Sequence, residues 1–278
     1  MDRGERLPLT LDPIESAAFH FILQVERFYA SLIADANAEV DGPAEVGLGG
    51  KLLYAGELDD DGRALLVAGN IAGAASLSAT ADAAARKQAI RDGVADFLVN
   101  SLDEALRILK NEIRKRETVA VCIAAAPEAV EREMLERGVL PDLLAPLPFA
   151  GSSSSHSFGQ AVWRVELTSA PGSQALVVWS VNTAPAQWLP KLDSLAIECL
   201  QGNASPADAA ARRWLRLGPR YLGRLAEHFR VLRCQPDTAI EFVARVQSAV
   251  DRQQIGVEVR ISMNSGEQVF LFKPSGAI

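Results

Sequence analysis

Apolar positions near the start of the chain recur at spacings of three and four: Ile14, Ala18, Phe21, Val25, Phe28 and Leu32. That period predicts an amphipathic helix over residues 14 to 37, packed on a core. After a loop-like stretch ending at Gly50 the rhythm changes. Lys51–Glu57 and Arg63–Ala68 are short apolar runs on either side of Asp-Asp-Asp-Gly, which predicts two strands around a tight turn. Asp59, Asp60 and Asp61 suit an exposed turn by themselves and need no metal to explain them.

From Leu65 the pattern alternates. Strand Leu65–Ala68 gives way to helix Ala81–Arg91, strand Asp96–Asn100, helix Leu102–Lys115, strand Thr118–Ala124, helix Pro127–Arg137 and strand Pro141–Leu144. Ser101 and Glu104 form a capping box at the start of one helix, and Pro127 opens another. Two helix exits share a phrase, "RDGVADFLV" and "ERGVLPDLL", each ending on a left-handed glycine before an apolar strand. Regular alternation with apolar strands predicts a parallel sheet covered on both faces.

Residues 145 to 160, rich in Pro, Gly and Ser, predict a linker or long surface loop. Beyond it, "AVWRVELTSAPGSQALVVWSV" predicts a hairpin. Helix Ala186–Gln201 follows, and Ser205-Pro206 caps another helix that kinks or breaks near Gly218-Pro219. "RVLRC" is a short strand. Asp237–Arg252 is an amphipathic helix with Ile240, Val243, Ala244 and Val246 toward a core, and a terminal hairpin turns at Asn-Ser-Gly.

The fold class is therefore α/β: a Rossmann-like parallel sheet with flanking helices, plus a C-terminal α+β region with antiparallel strands. The expected divisions are a helix over 1–39 packing on the core, a Rossmann-like domain over 40–148, a linker over 149–160 and an α+β domain over 161–278.

Composition changes this picture little. A net charge of −7 leaves no excess of Lys and Arg for phosphates, which argues against nucleic acid as a partner. Cys122, Cys199 and Cys234 are far apart in sequence and predict buried thiols in a reducing compartment. No membrane span and no leader are expected, so the predicted location is cytoplasmic. Three isolated histidines and three isolated cysteines give no metal set.

The candidate chemistry lies in "LLVAGNIAGAASL". A glycine-bearing turn between a strand and a helix lets backbone amides approach a pyrophosphate. Gly69, Asn70, Ile71, Ala72, Gly73 and Ala74 are the candidate cradle, with Asn100 and Ser101 at the next strand end placed to meet a ribose. The bland alternative is a turn of small residues that lets helix and strand pack closely. Arg216, Arg220 and Arg224 share a helical face and suit a carboxylate clamp or a solvated surface. His156 ends the run Ser152–Ser155 and is a further candidate for substrate contact.

The order of phrases "LGGKLLYAG", "LLVAGNIAGAASL", "VNSLDEALRILKNEIRK" and "VAVCIAAAPEAVEREMLERGVLPDLL" resembles the Rossmann-like core of urocanase (urocanate hydratase) over residues 48 to 144. That family adds water to urocanate with tightly bound NAD+. The resemblance implies NAD+ at Gly69–Ala74 and a lyase or hydratase acting on a small carboxylate held by Arg216, Arg220 or His156. The family's Gly-Gly-x-Gly-Gly-Ala-Gln turn reads Gly-Asn-Ile-Ala-Gly-Ala-Ala here. A non-catalytic descendant, kept as a binding or oligomerisation module, stands beside the enzyme reading. A homodimer is plausible under either.

Overall fold

The computed structural model describes residues 13–38, 47–144, 158, 163–164, 174–201, 205–264 and 268–274. The chain divides into two compact units, residues 24–168 and residues 1–23 with 169–278. The first helix, α1 (Pro13–Ala38), contains that division.

The first unit is the parallel one. Its elements run β1 (Leu52–Glu57), α2 (Asp60–Ala72), β2 (Ala75–Ala79), α3 (Ala83–Arg91), β3 (Phe97–Val99), α4 (Leu102–Lys115), β4 (Val119–Ile123), α5 (Pro127–Glu136), β5 (Leu143–Leu144) and β6 (Trp163–Arg164). The sheet order is β3-β4-β2-β1-β5-β6, and every neighbouring pair is parallel. One face of the sheet packs Leu52, Tyr54, Leu77, Val121 and Ile123 with Leu106 and Leu109 of α4 and Val130 and Met134 of α5. The caps lie where the sequence puts them. Ser101 Oγ accepts from the Glu104 amide at 3.3 Å, and Gly93 and Gly138 take φ of +69° and +64° after α3 and α5.

One element differs in kind. Residues 63–68 are not a strand but the middle of α2, and Asp-Asp-Asp-Gly is not a hairpin turn but the start of that helix. Ala64 through Ala72 of α2 are all buried, so its apolar positions form an unbroken run. Such a run has no period by which to tell a buried strand from a buried helix. The real strand, β2, reads Ala-Ser-Leu-Ser-Ala; its small and hydroxylated residues carry no β-branched signal.

The second unit holds β7 (Ala175–Val181), α6 (Pro185–Gln201), α7 (Pro206–Leu222), a 3₁₀ turn over Gly223–Ala226, β8 (Phe229–Cys234), α8 (Pro236–Asp251), β9 (Val259–Met263) and β10 (Gln268–Phe272). Its sheet, β10-β9-β7-β8, is antiparallel throughout. Trp179 lies at its centre, 4.9 Å from the Phe242 ring, and donates its indole N–H to Asp193 Oδ1 at 3.2 Å. Arg230 donates from Nε to Asp193 Oδ2 at 3.0 Å.

Three further expectations change. Strands β6 and β7, expected as the two arms of a hairpin, are not partners: β6 pairs with β5, and β7 pairs with β8 and β9. Helix α7 runs through Gly218 and Pro219 without a break. On α8 the buried face is Ala239, Phe242, Val246, Ala249 and Val250, while Ile240 is 61% exposed. Among the described residues no helix is long and apolar enough to cross a membrane, and no cluster of metal-ligating side chains occurs. All three cysteines are buried free thiols.

Candidate functional site

In an open parallel sheet, ligands settle beyond the carboxyl ends of the strands, and a dinucleotide phosphate sits at the first strand-to-helix crossover. Here that crossover is the turn from β1 to α2, residues 58–59. Its helix begins with three carboxylates. Asp59 is the N-cap, and its Oδ1 accepts from the Gly62 amide at 2.9 Å. The Asp59 carbonyl accepts from the Arg63 amide at 2.9 Å. Asp60 and Asp61 occupy the first turn. The Gln24 side-chain amide donates to Asp61. Burial, and then the neighbouring Asp59 and Asp60, raise the Asp61 pKa above its ordinary value, against the lowering effect of Gln24. A Cβ built on Gly62 would stand 1.9 Å from the Glu57 carbonyl oxygen, so the turn folds tightly on its own backbone.

The proposed cradle lies at the other end of the same helix. Gly69, Asn70, Ile71 and Ala72 are its last turn and are buried. Gly73 is the C-cap at φ +94°, with its amide turned back to the carbonyls of Gly69 (2.8 Å) and Asn70 (3.2 Å). The Ala74 amide also returns to Gly69 O, at 2.9 Å. These amides are spent on closing the helix, and a helix C-terminus carries partial negative charge. Gly69 is there for packing: a Cβ would lie 2.7 Å from Leu53 Cδ2 and 2.8 Å from Ser76 Oγ. Asn70 is 2% exposed, and its side-chain carbonyl meets no hydrogen-bond donor among the described residues.

Asn100 and Ser101 do lie at a strand end, but their groups serve α4. Ser101 caps it, and the Asn100 amide donates to Glu104 Oε2 at 2.9 Å. Arg216 and Arg220 are exposed on α7 in the other unit, Arg220 resting 5.3 Å from the Tyr221 ring. His156 lies outside the described residues. Asp142 accepts from the Leu52 amide at 2.7 Å, at the start of β1, away from its carboxyl end.

Two side chains near the carboxyl edge escaped the sequence reading. Tyr54 on β1 is 2% exposed, and its phenol feels the carboxylate of Glu131 on α5, itself 3% exposed. Burial, then the Glu131 charge, push the Tyr54 phenol well above its usual pKa. The only signal in sequence was a charged residue on the inward face of an otherwise amphipathic α5. Around this pair stand Glu57 at the end of β1 and Glu128 in the first turn of α5, both adding negative potential at the phenol.

The residues present do not fit a dinucleotide. Two phosphate charges set against Asp59, Asp60 and Asp61 meet repulsion of about 1 kcal/mol per pair at ~4 Å in water, and about 4 at an effective dielectric of ~20. The Gly62 amide, one of those that would offset it, is already bonded to the Asp59 side chain.

Residues 29–152 match the family model described as the urocanase Rossmann-like domain. That segment of the chain is thus similar to the Rossmann-like domain of urocanase.

Proposed function

We propose that this urocanase-like domain serves the chain as a non-catalytic module for protein association and holds no NAD+. One observation carries the reading: the first crossover is capped by its own Asp59 carboxylate and flanked by Asp60 and Asp61. A lyase or hydratase built on the family's cofactor needs that corner open and receptive to an anion. Among the described residues the Gly69–Gly73 segment does not restore it, since it is a helix C-terminus.

The test uses the whole chain, purified without added cofactor. The ratio of absorbance at 260 and 280 nm is expected to be that of nucleotide-free protein. Calorimetric titration with NAD+ is expected to give no binding heat up to about 1 mM, where binding is worth only about −4 kcal/mol. A stoichiometric bound dinucleotide, or micromolar affinity, would overturn the proposal and restore the enzyme.

A further inference from the structure

Helix α7 keeps its two sides chemically apart. Trp214, Leu215, Gly218 and Leu222 face inward, and the Trp214 indole N–H donates to the Val231 carbonyl of β8 at 2.6 Å. The outward side is arginine. Between Asp208 and Glu227 the chain carries five arginines and no acidic residue, in a sequence whose net charge is −7. Arg212 turns one guanidinium nitrogen onto the Leu200 carbonyl at 2.6 Å. Arg216 and Arg220 are exposed, and Arg224, exposed in the 3₁₀ turn that follows, extends the row. Among the described residues none of these three pairs with a carboxylate. Arg245 on α8 shows the usual outcome for an exposed arginine in this unit, since it holds Glu198 at 3.2 Å and Glu241 at 2.8 Å.

Like charges four apart on a helix repel, so Arg212, Arg216 and Arg220 weaken α7 as it stands. An anion laid along the row reverses that. The shape of the row selects the anion. Steps of four residues rise about 6 Å along a helix. Carboxylates four apart on a second helix rise equally, so two helices side by side pair rung by rung, each guanidinium meeting a carboxylate through two N–H donors. Leu217 and Tyr221, four apart and half-buried, form an apolar ridge along one flank of the row. Such a ridge receives the leucines of an amphipathic helix. It offers nothing to phosphate, and a net charge of −7 works against a phosphate chain long enough to cover the row.

We propose that the Arg216, Arg220 and Arg224 row is a docking surface for an amphipathic acidic helix of a partner protein, with carboxylates at every fourth position. The inference concerns the antiparallel unit and does not rest on the reading of the parallel one.

The experiment titrates the whole chain into a fluorescein-labelled synthetic peptide and reads anisotropy. The peptide is an alanine-rich helix with glutamates four apart on one face and leucines beside them. Saturable binding is expected, weakening at least about tenfold between about 50 mM and about 300 mM salt because the contacts are exposed ion pairs. Arg216→Glu and Arg220→Glu combined in one chain are expected to weaken binding at least about thirtyfold, with an unchanged circular dichroism spectrum. A peptide with lysines in place of the glutamates is expected to bind that double variant and not wild type, which damage to α7 does not produce. No binding of the glutamate peptide to wild type overturns the proposal. So does equal binding of a peptide with the same residues scattered round the helix, or indifference to the double reversal. Tighter binding of a single-stranded oligonucleotide, or of phosphatidylserine vesicles, overturns it in favour of phosphate.

Discussion

The two ends of α2 are opposites, and the sequence makes the wrong one look like the site. Its C-terminal end holds Gly69, Gly73 and small neighbours, the residue types of a phosphate cradle, yet presents carbonyls and enclosed side chains. Its N-terminal end has the right place in the fold and the right dipole, yet offers carboxylates. Glycine therefore has two separate meanings in an α/β chain. It lets a backbone approach an anion, or it lets a helix approach a sheet, and only the polarity of the helix end separates them. At Gly69 the sheet is what approaches.

The sharpest way to break that contrast is Gly69→Leu. If Gly69 is a packing glycine, the new side chain is driven into Leu53 and Ser76 from below 3 Å, and neither neighbour belongs to a loop that can yield. Overpacking of this kind costs about 1–3 kcal/mol, and both neighbours here are enclosed, which puts it toward the upper end. Denaturant unfolding of the variant should show that loss, with NAD+ affinity as absent as in wild type. A variant that unfolds like wild type would mean the helix does not lie against β1 and β2 as described.

How much of this was legible follows from how local each signal is. Helix α4 is bounded to the residue, since Ser101, Glu104 and the period of Leu102, Leu106 and Leu109 all act within a few positions. The helices over 13–38 and 127–136 and the caps at Ser205, Gly93 and Gly138 are legible for the same reason. What failed depended on distant partners. Helix α2 lost its period because residues 64–72 are buried all round, so no polar face marks the helical repeat. Strand β2 exists through parallel pairing with β1 and β4, not through its own residues. Strand β6 is only two residues long and pairs with β5, though the sequence makes it half of a hairpin. The candidate site moved with α2: its residues were named correctly as small and close-packed, and assigned to the wrong end of a crossover.

The carboxylates at the mouth of α2 can be set against one that is enclosed. Asp193 in the antiparallel unit is 7% exposed, and burial raises its pKa to about 6 although Arg230 and Trp179 both favour the charged form. The native state thus keeps a proton that the unfolded chain releases near 3.8. Its contribution to stability is full below that value and is lost as pH rises through about 6. Comparing wild type with Asp193→Asn isolates this group, because the variant cannot titrate there. From pH 4 to pH 7, wild type should lose of order 2–3 kcal/mol relative to the variant, at about 1.36 kcal/mol per pKa unit. A difference that stays flat, or grows in favour of wild type, would show that the Arg230 pair outweighs burial.

The smallest effect probes the N-terminal end directly. Asp59→Ala removes the side chain that accepts from the Gly62 amide, and loss of an N-cap costs about 1 kcal/mol. Chemical denaturation should report that loss with an unchanged m-value, since the surface exposed on unfolding is the same. The same substitution frees the Gly62 amide for an anion at the helix start. Binding of inorganic phosphate should nevertheless stay undetectable at millimolar concentration, because Asp60 and Asp61 still repel it within the first turn. Detectable phosphate binding to the single variant would locate the whole block in Asp59. The crossover would then be a cofactor site closed by one residue, whereas the absence of binding means that the acidic turn as a whole has replaced it.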